Sequence, residues 1–205
     1  MMIGRRTLPL LPMLATSAIA QPAAPARSWA WKVMRNGAQI GTHAVRISQR
    51  GTERVAESDV SVVPRVMGVV VYRFEHRYAE VTQEGRFRSV RSHLNRNGTV
   101  VDIEAQAQPD AVALRGPEGA QRLPANAAPL SWWEPARLGG ATPIFGTTTG
   151  RLMELRWQRL PRPDGGYAWR TAGEMEAEVG FGRDGAWDAF STKGDDGSTV
   201  TYERA

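Results

Sequence analysis

The sequence predicts an all-β fold, a single antiparallel meander forming a barrel or a strongly curved half-barrel of about 10 to 12 strands. Three observations carry this. Turn pairs recur along the chain, among them Asn36-Gly37, Asn97-Gly98, Asp184-Gly185 and Asp196-Gly197. The segments between them have strand length and alternate apolar with polar residues, as in Val101, Ile103 and Ala105 against Asp102, Glu104 and Gln106. One stretch, 121–146, breaks the pattern with Pro124, Pro129, Pro135 and Pro143, which no central strand tolerates. A length of 205 residues suits one domain.

Residues 1–20 are expected to be a signal peptide. Arg5 and Arg6 form a positive start, Thr7 to Ile19 an apolar stretch, and Ala18-Ile19-Ala20 a small-x-small cleavage site. The stretch holds Pro9 and Pro12 and falls short of the ~20 apolar residues of a spanning helix, so no stable membrane anchor is expected. The paired arginines fit either the general or the twin-arginine route. Cleavage near Ala20 releases the chain to the periplasm or the medium. Residues 21–27 (QPAAPAR) form a flexible spacer, and 28–205 the single domain.

Composition removes several chemistries. There is no cysteine, hence no disulfide framework, thiolate nucleophile or cysteine-ligated metal. Twenty-six Lys+Arg face 21 Asp+Glu. Removing residues 1–20 takes two arginines and no acid, leaving 24 against 21, or +3, too small an imbalance for a nucleic-acid partner.

Turn chemistry proposes registers. Asn97-Gly98 fits a two-residue turn, pairing Leu94 with Val101, Ser92 with Ile103 and Val90 with Ala105. Glutamate disfavours positive φ, so Glu84-Gly85 suggests a three-residue loop that sets Phe74 opposite Leu94, Tyr78 opposite Val90 and Glu80 opposite Arg88. The first hairpin, around Asn36-Gly37, pairs Val33 with Ile40, Trp31 with Thr42 and Trp29 with Ala44. That leaves His43 outward, away from the other histidines. An outer row of Glu75, His93 and Asp102 then looks like metal ligands, but exposed strands simply pair opposite charges, and no metal is expected.

In the crossing segment, Ser131 is placed to cap a short helix through Trp132 to Arg137. A connection this long is either a lid over a binding site or a loop whose tryptophans seal the core.

Candidate chemistry gathers on the inward face. His76 beside Ser92 suggests a hydrolase dyad, but Glu80 lies ~13 Å along the strand, too far to orient the ring, and no nucleophile elbow occurs. Glu80 with Arg88 is either a buried ion pair fixing register or a head-group site. Seven tryptophans fill a core or line a cavity.

Trp31-Lys32-Val33, Ile40-Gly41-Thr42-His43, Tyr72 through His76, Gly85-Arg86-Phe87, Trp132, Thr149-Gly150, Asp196-Gly197-Ser198 and Tyr202 together resemble an exported proteobacterial family, domain of unknown function 6134. The resemblance covers nearly all of the chain after the leader. It implies a β-rich periplasmic protein and supplies no activity or catalytic residue. In architecture only, the chain is similar to periplasmic lipid-handling proteins built as a curved sheet around a cleft.

The expectation is therefore a non-enzymatic, cofactor-free binding or carrier module for an apolar or lipid-like ligand. Its ligand-binding residues would be Trp29, Trp31, Tyr72, Phe74, His76, Tyr78, Glu80, Arg88, Ser92, Trp132 and Trp133. The alternative is a structural or protein-interaction domain contacting an envelope protein, and the third reading is a hydrolase using Ser92 and His76.

Overall fold

A computed structural model describes residues 27–194 and 196–205. The expected signal peptide and spacer, residues 1–27, lie outside the described residues, except Arg27, which opens the first strand. Strands β1 (Arg27–Arg35), β2 (Ala38–Arg50) and β3 (Glu53–Val62) lead to a small hairpin, β4 (Arg65–Val66) with β5 (Val69–Val70). Strands β6 (Phe74–Gln83), β7 (Arg86–Arg96), β8 (Thr99–Ala107), β9 (Val112–Gly116) and β10 (Gly119–Leu123) continue the meander. The crossing segment holds β11 (Ala128–Pro129) and β12 (Ile144–Phe145). The chain then returns through β13 (Leu155–Pro161), β14 (Tyr167–Gly173), β15 (Ala177–Phe181), β16 (Trp187–Lys193) and β17 (Thr199–Arg204).

Thirteen strands form one antiparallel sheet in the order β10-β9-β8-β7-β6-β3-β2-β1-β17-β16-β15-β14-β13. The sheet is open, with β10 and β13 as its edges, and its strand count exceeds the expected range by one. Both edge strands carry arginines, Arg122 on one and Arg156 and Arg159 on the other, which discourage pairing with another chain.

Four hairpins turn on two residues that both have positive φ: Asn36-Gly37, Met67-Gly68, Glu84-Gly85 and Asn97-Gly98, the backbone whose twist matches antiparallel strands. At Asn97-Gly98 the expected register holds, with Leu94 opposite Val101, Ser92 opposite Ile103 and Val90 opposite Ala105.

The other two expected registers are corrected. Glu84 takes φ 52°, so the turn has two residues, pairing Gln83 with Arg86 and Thr82 with Phe87. A bulge between Val81 and Thr82 then adds one residue, setting Glu80 opposite Val90, Tyr78 opposite Ser92 and Phe74 opposite Arg96. Beyond the bulge, the net slip of two from the expected register keeps side chains on their expected faces and changes only their neighbours. At the bulge itself two faces change: Phe87 turns into the core, and Arg88 leaves the inward face for solvent.

In the first hairpin a bulge between Val33 and Met34 sets Val33 opposite Gly41, Trp31 opposite His43 and Trp29 opposite Val45. This slip is by one, so it inverts the face. Val45 and Ile47 enter the core, and His43 goes in with them.

The expected short helix is a single 3-10 turn, Pro135–Arg137, and Ser131 does not cap it. Instead the segment from Pro124 to Glu154 fills the space the sheet curls around. Ala127, Ala128, Leu130, Trp132, Trp133, Leu138, Ile144 and Phe145 are all buried. Within it, the parallel pairing of β11 with β12 closes the loop from 130 to 143. Gly139 lies so close to the sheet that a Cβ there would meet the Trp169 ring at 2.7 Å.

Candidate functional site

Two surfaces compete for function: the inward face with its buried polar groups, and the solvent face of the same strands.

On the inward face, Trp29, Trp31, His76, Tyr78, Glu80, Ser92, Trp132 and Trp133 are buried, and Tyr72 and Phe74 are half-buried. Packing brings most of them together through the crossing segment. Trp133 stacks on Tyr78 at 5.5 Å and His76 stacks on the other side of Tyr78 at 5.1 Å. Trp132 tilts against Phe190 at 5.0 Å, and Trp31 against Trp187 at 5.1 Å. The tryptophans therefore meet protein rings, each burial removing a large apolar area from water.

Glu80 anchors the segment. It is 1% exposed and accepts hydrogen bonds from Ser131 Oγ and from Arg137 Nη1, each at 2.5 Å. The expected partner Arg88 takes no part. A buried ion pair exists at Glu80, but its cation comes from residue 137 on the crossing segment, so it ties that segment to the sheet and does not set the register between strands. Arg54 pairs with Glu134 alongside it. Two more polar bonds fasten the same segment: Tyr78 Oη donates to the Leu130 carbonyl at 3.4 Å, and Ser92 Oγ to the Thr147 carbonyl at 2.6 Å.

The bond to Thr147 decides what His76 and Ser92 do. His76 Nε2 lies 2.9 Å from Ser92 Oγ. Because the hydroxyl proton goes to Thr147, the oxygen presents a lone pair to the imidazole and takes its N–H. An activating base needs the opposite arrangement, with a ring lone pair facing the hydroxyl proton. Burial pulls the His76 pKa down to about 4, against the opposing effect of a hydrogen bond to the Thr147 backbone. A second pair, His43 with Ser58 at 2.9 Å, repeats the motif two strands away, with Val60 between the histidines. Burial and the nearby His76 lower the His43 pKa to about 3. Tyr78 and Tyr202 are raised by burial above all, with the Glu80 charge adding to it at Tyr78. Burial thus favours the neutral form of each of these four groups.

The solvent face carries a groove of about 860 Å³ crossing β1, β2, β3 and β6 to β9. Ala30, Ala44 and Ala79 supply small side chains within it. Around them stand four arginines (Arg46, Arg77, Arg91, Arg115) and four acids (Glu57, Asp59, Asp102, Glu104). Three cross-strand pairs link members of this set: Arg77 with Asp59 at 2.9 Å, Arg91 with Glu104 at 3.4 Å, and Asp102 with the His93 imidazole at 2.7 Å. The slip of β6 also sets Arg77, in place of Glu75, opposite His93, so the acid-histidine-acid row does not form. The sequence shows these residues as outward-facing and charged. It does not show that they line one groove.

Residues 31–205 match the family described as a domain of unknown function, DUF6134, and the chain belongs to that family. Among solved structures it resembles a β-barrel-like protein of the domain of unknown function DUF1849 from Brucella abortus, at a TM-score of 0.58 and 8% identity. That match covers 88% of this chain and 95% of the other, and at this identity it speaks for the fold alone. No curated protein matches the chain.

Proposed function

We propose that the chain is an exported, non-catalytic interaction module of the cell envelope that engages its partner on the solvent face of the sheet, with the interior serving as scaffold. The observation that carries this reading is where the space lies. Residues 124–154 occupy the hollow and are fastened by four polar bonds to Glu80, Tyr78 and Ser92, whereas the groove stands open on the opposite face. A carrier of an apolar ligand needs the reverse arrangement. Four positive and four negative groups around small alanines suit neither a polyanion nor a simple cation. They suit an extended polypeptide of mixed charge, whose own side chains exchange partners with the paired residues.

The test is a photo-crosslinking residue at Ala44 in the producing cells. The expected outcome is an adduct with one polypeptide that is lost when Ala79→Trp fills the groove. An adduct indifferent to Ala79→Trp overturns the reading. So does purified protein that releases one apolar molecule per chain on solvent extraction, which supports the carrier reading instead.

A further inference from the structure

The β4–β5 hairpin reverses the usual arrangement of an exposed ribbon. Met67, Val69 and Val71 are 99%, 65% and 58% exposed, whereas Val70 and Tyr72, on the alternate phase, are half-buried. A ribbon packed on a domain by one face normally turns its polar residues outward. Here the outward stripe is the apolar one, and the fold gains nothing from it. Among the described residues the hairpin pairs with itself alone, Arg65 opposite Val70 and Val66 opposite Val69. It is held at its base by the Val63 N–H to Ile40 and the Val71 N–H to Pro64.

The run from 66 to 72 contains no charge, and an arginine stands at each end, Arg65 and Arg73. The Arg65 guanidinium donates to the Gly68 carbonyl across the hairpin and is half of no ion pair among the described residues. Arg73 also pairs with Glu75, so two arginines flank the apolar run, one at each of its ends.

We infer that this hairpin is a shallow membrane-inserting finger for anionic lipid surfaces, a contact separate from the groove. The area favours a bilayer over a protein. Three exposed side chains offer on the order of a few hundred Å², against the ~800 Å² per partner of a stable protein interface. A bilayer has no such minimum: apolar tips enter the acyl boundary while flanking cations meet lipid phosphates. Such insertion is weak and reversible.

The cysteine-free chain permits a local test. Met67→Cys in the full chain is labelled with an environment-sensitive fluorophore and mixed with phosphatidylglycerol-containing vesicles whose acyl chains carry bromine. Thr52→Cys, in the turn at the opposite end of the sheet, is the control. The label at 67 is expected to shift to shorter wavelength and to be quenched at least about twofold more than the label at 52. Adding Val69→Asp and Val71→Asp should abolish the difference while leaving tryptophan emission unchanged. Attachment through the leader brings both labels to the surface without separating them. Equal quenching at 67 and 52, or quenching indifferent to the aspartates, overturns the inference. So does a label at 67 that stays wet on vesicles but self-quenches with protein concentration, which indicates association between copies.

Discussion

Two imidazoles buried on the inward face of the sheet make stability depend on pH. His43 and His76 are held neutral with pKa values of about 3 and about 4, well below the ~6.5 of an unfolded histidine. The unfolded chain therefore takes up protons first. Stability is lost as pH falls through about 6.5, and the loss continues until the folded values are reached. At about pH 4.5, two units below the unfolded value, each histidine favours unfolding by about 2.7 kcal/mol, or about 5 kcal/mol for the pair. That is a large share of the ~5–15 kcal/mol of a typical domain. The assay is urea unfolding followed by tryptophan emission at about pH 7 and about pH 4.5. Paired carboxylates also weaken in acid, so the comparison is with His43→Gln/His76→Gln, where glutamine can still bond Ser58 and Ser92. The double variant is expected to lose about 5 kcal/mol less than the parent across this window, and each single variant about half of that. Equal losses in parent and double variant would refute the reasoning.

Two further outcomes follow from named contacts. Glu80→Gln leaves the Arg137 guanidinium buried without its counter-charge and should cost about 3–5 kcal/mol, with Arg137→Gln added to it recovering part; urea midpoints read both. Glu84→Gly relieves a side chain held at φ 52° and should raise stability by about 0.5–1 kcal/mol, with a lowered midpoint counting against a left-handed Glu84.

The turn pairs and alternating segments carry the all-β architecture because both are local: glycine corners and period-two burial need no knowledge of distant residues. The register around Asn97-Gly98 was legible for the same reason. The hairpins at 36–37 and 84–85 were not, since each contains a bulge, and a bulge answers to the core on both strands. At the first hairpin a local signal did exist. Val45 and Ile47 share the phase of His43, and that apolar phase outweighs the turn's preference. At Met67-Gly68 the hidden element was a turn built on a residue that disfavours positive φ. The face of Glu80 was readable, but its partner Arg137 was not, because nothing local relates residue 80 to residue 137. The crossing segment's prolines exclude it from the sheet, yet only packing shows that it goes inside.

The place of β1 has a consequence for how the fold is made. It lies between β2 and β17, and five residue pairs from Trp31–Arg204 to Arg35–Val200 stitch the two parts of the sheet together. Until residues 199–204 exist and arrive, the first strand keeps one flank unzipped beside Trp29 and Trp31, a sticky template for any passing extended chain. A nascent chain halted before that point therefore carries its main aggregation hazard at its earliest strand, and completing the last strand is what removes it.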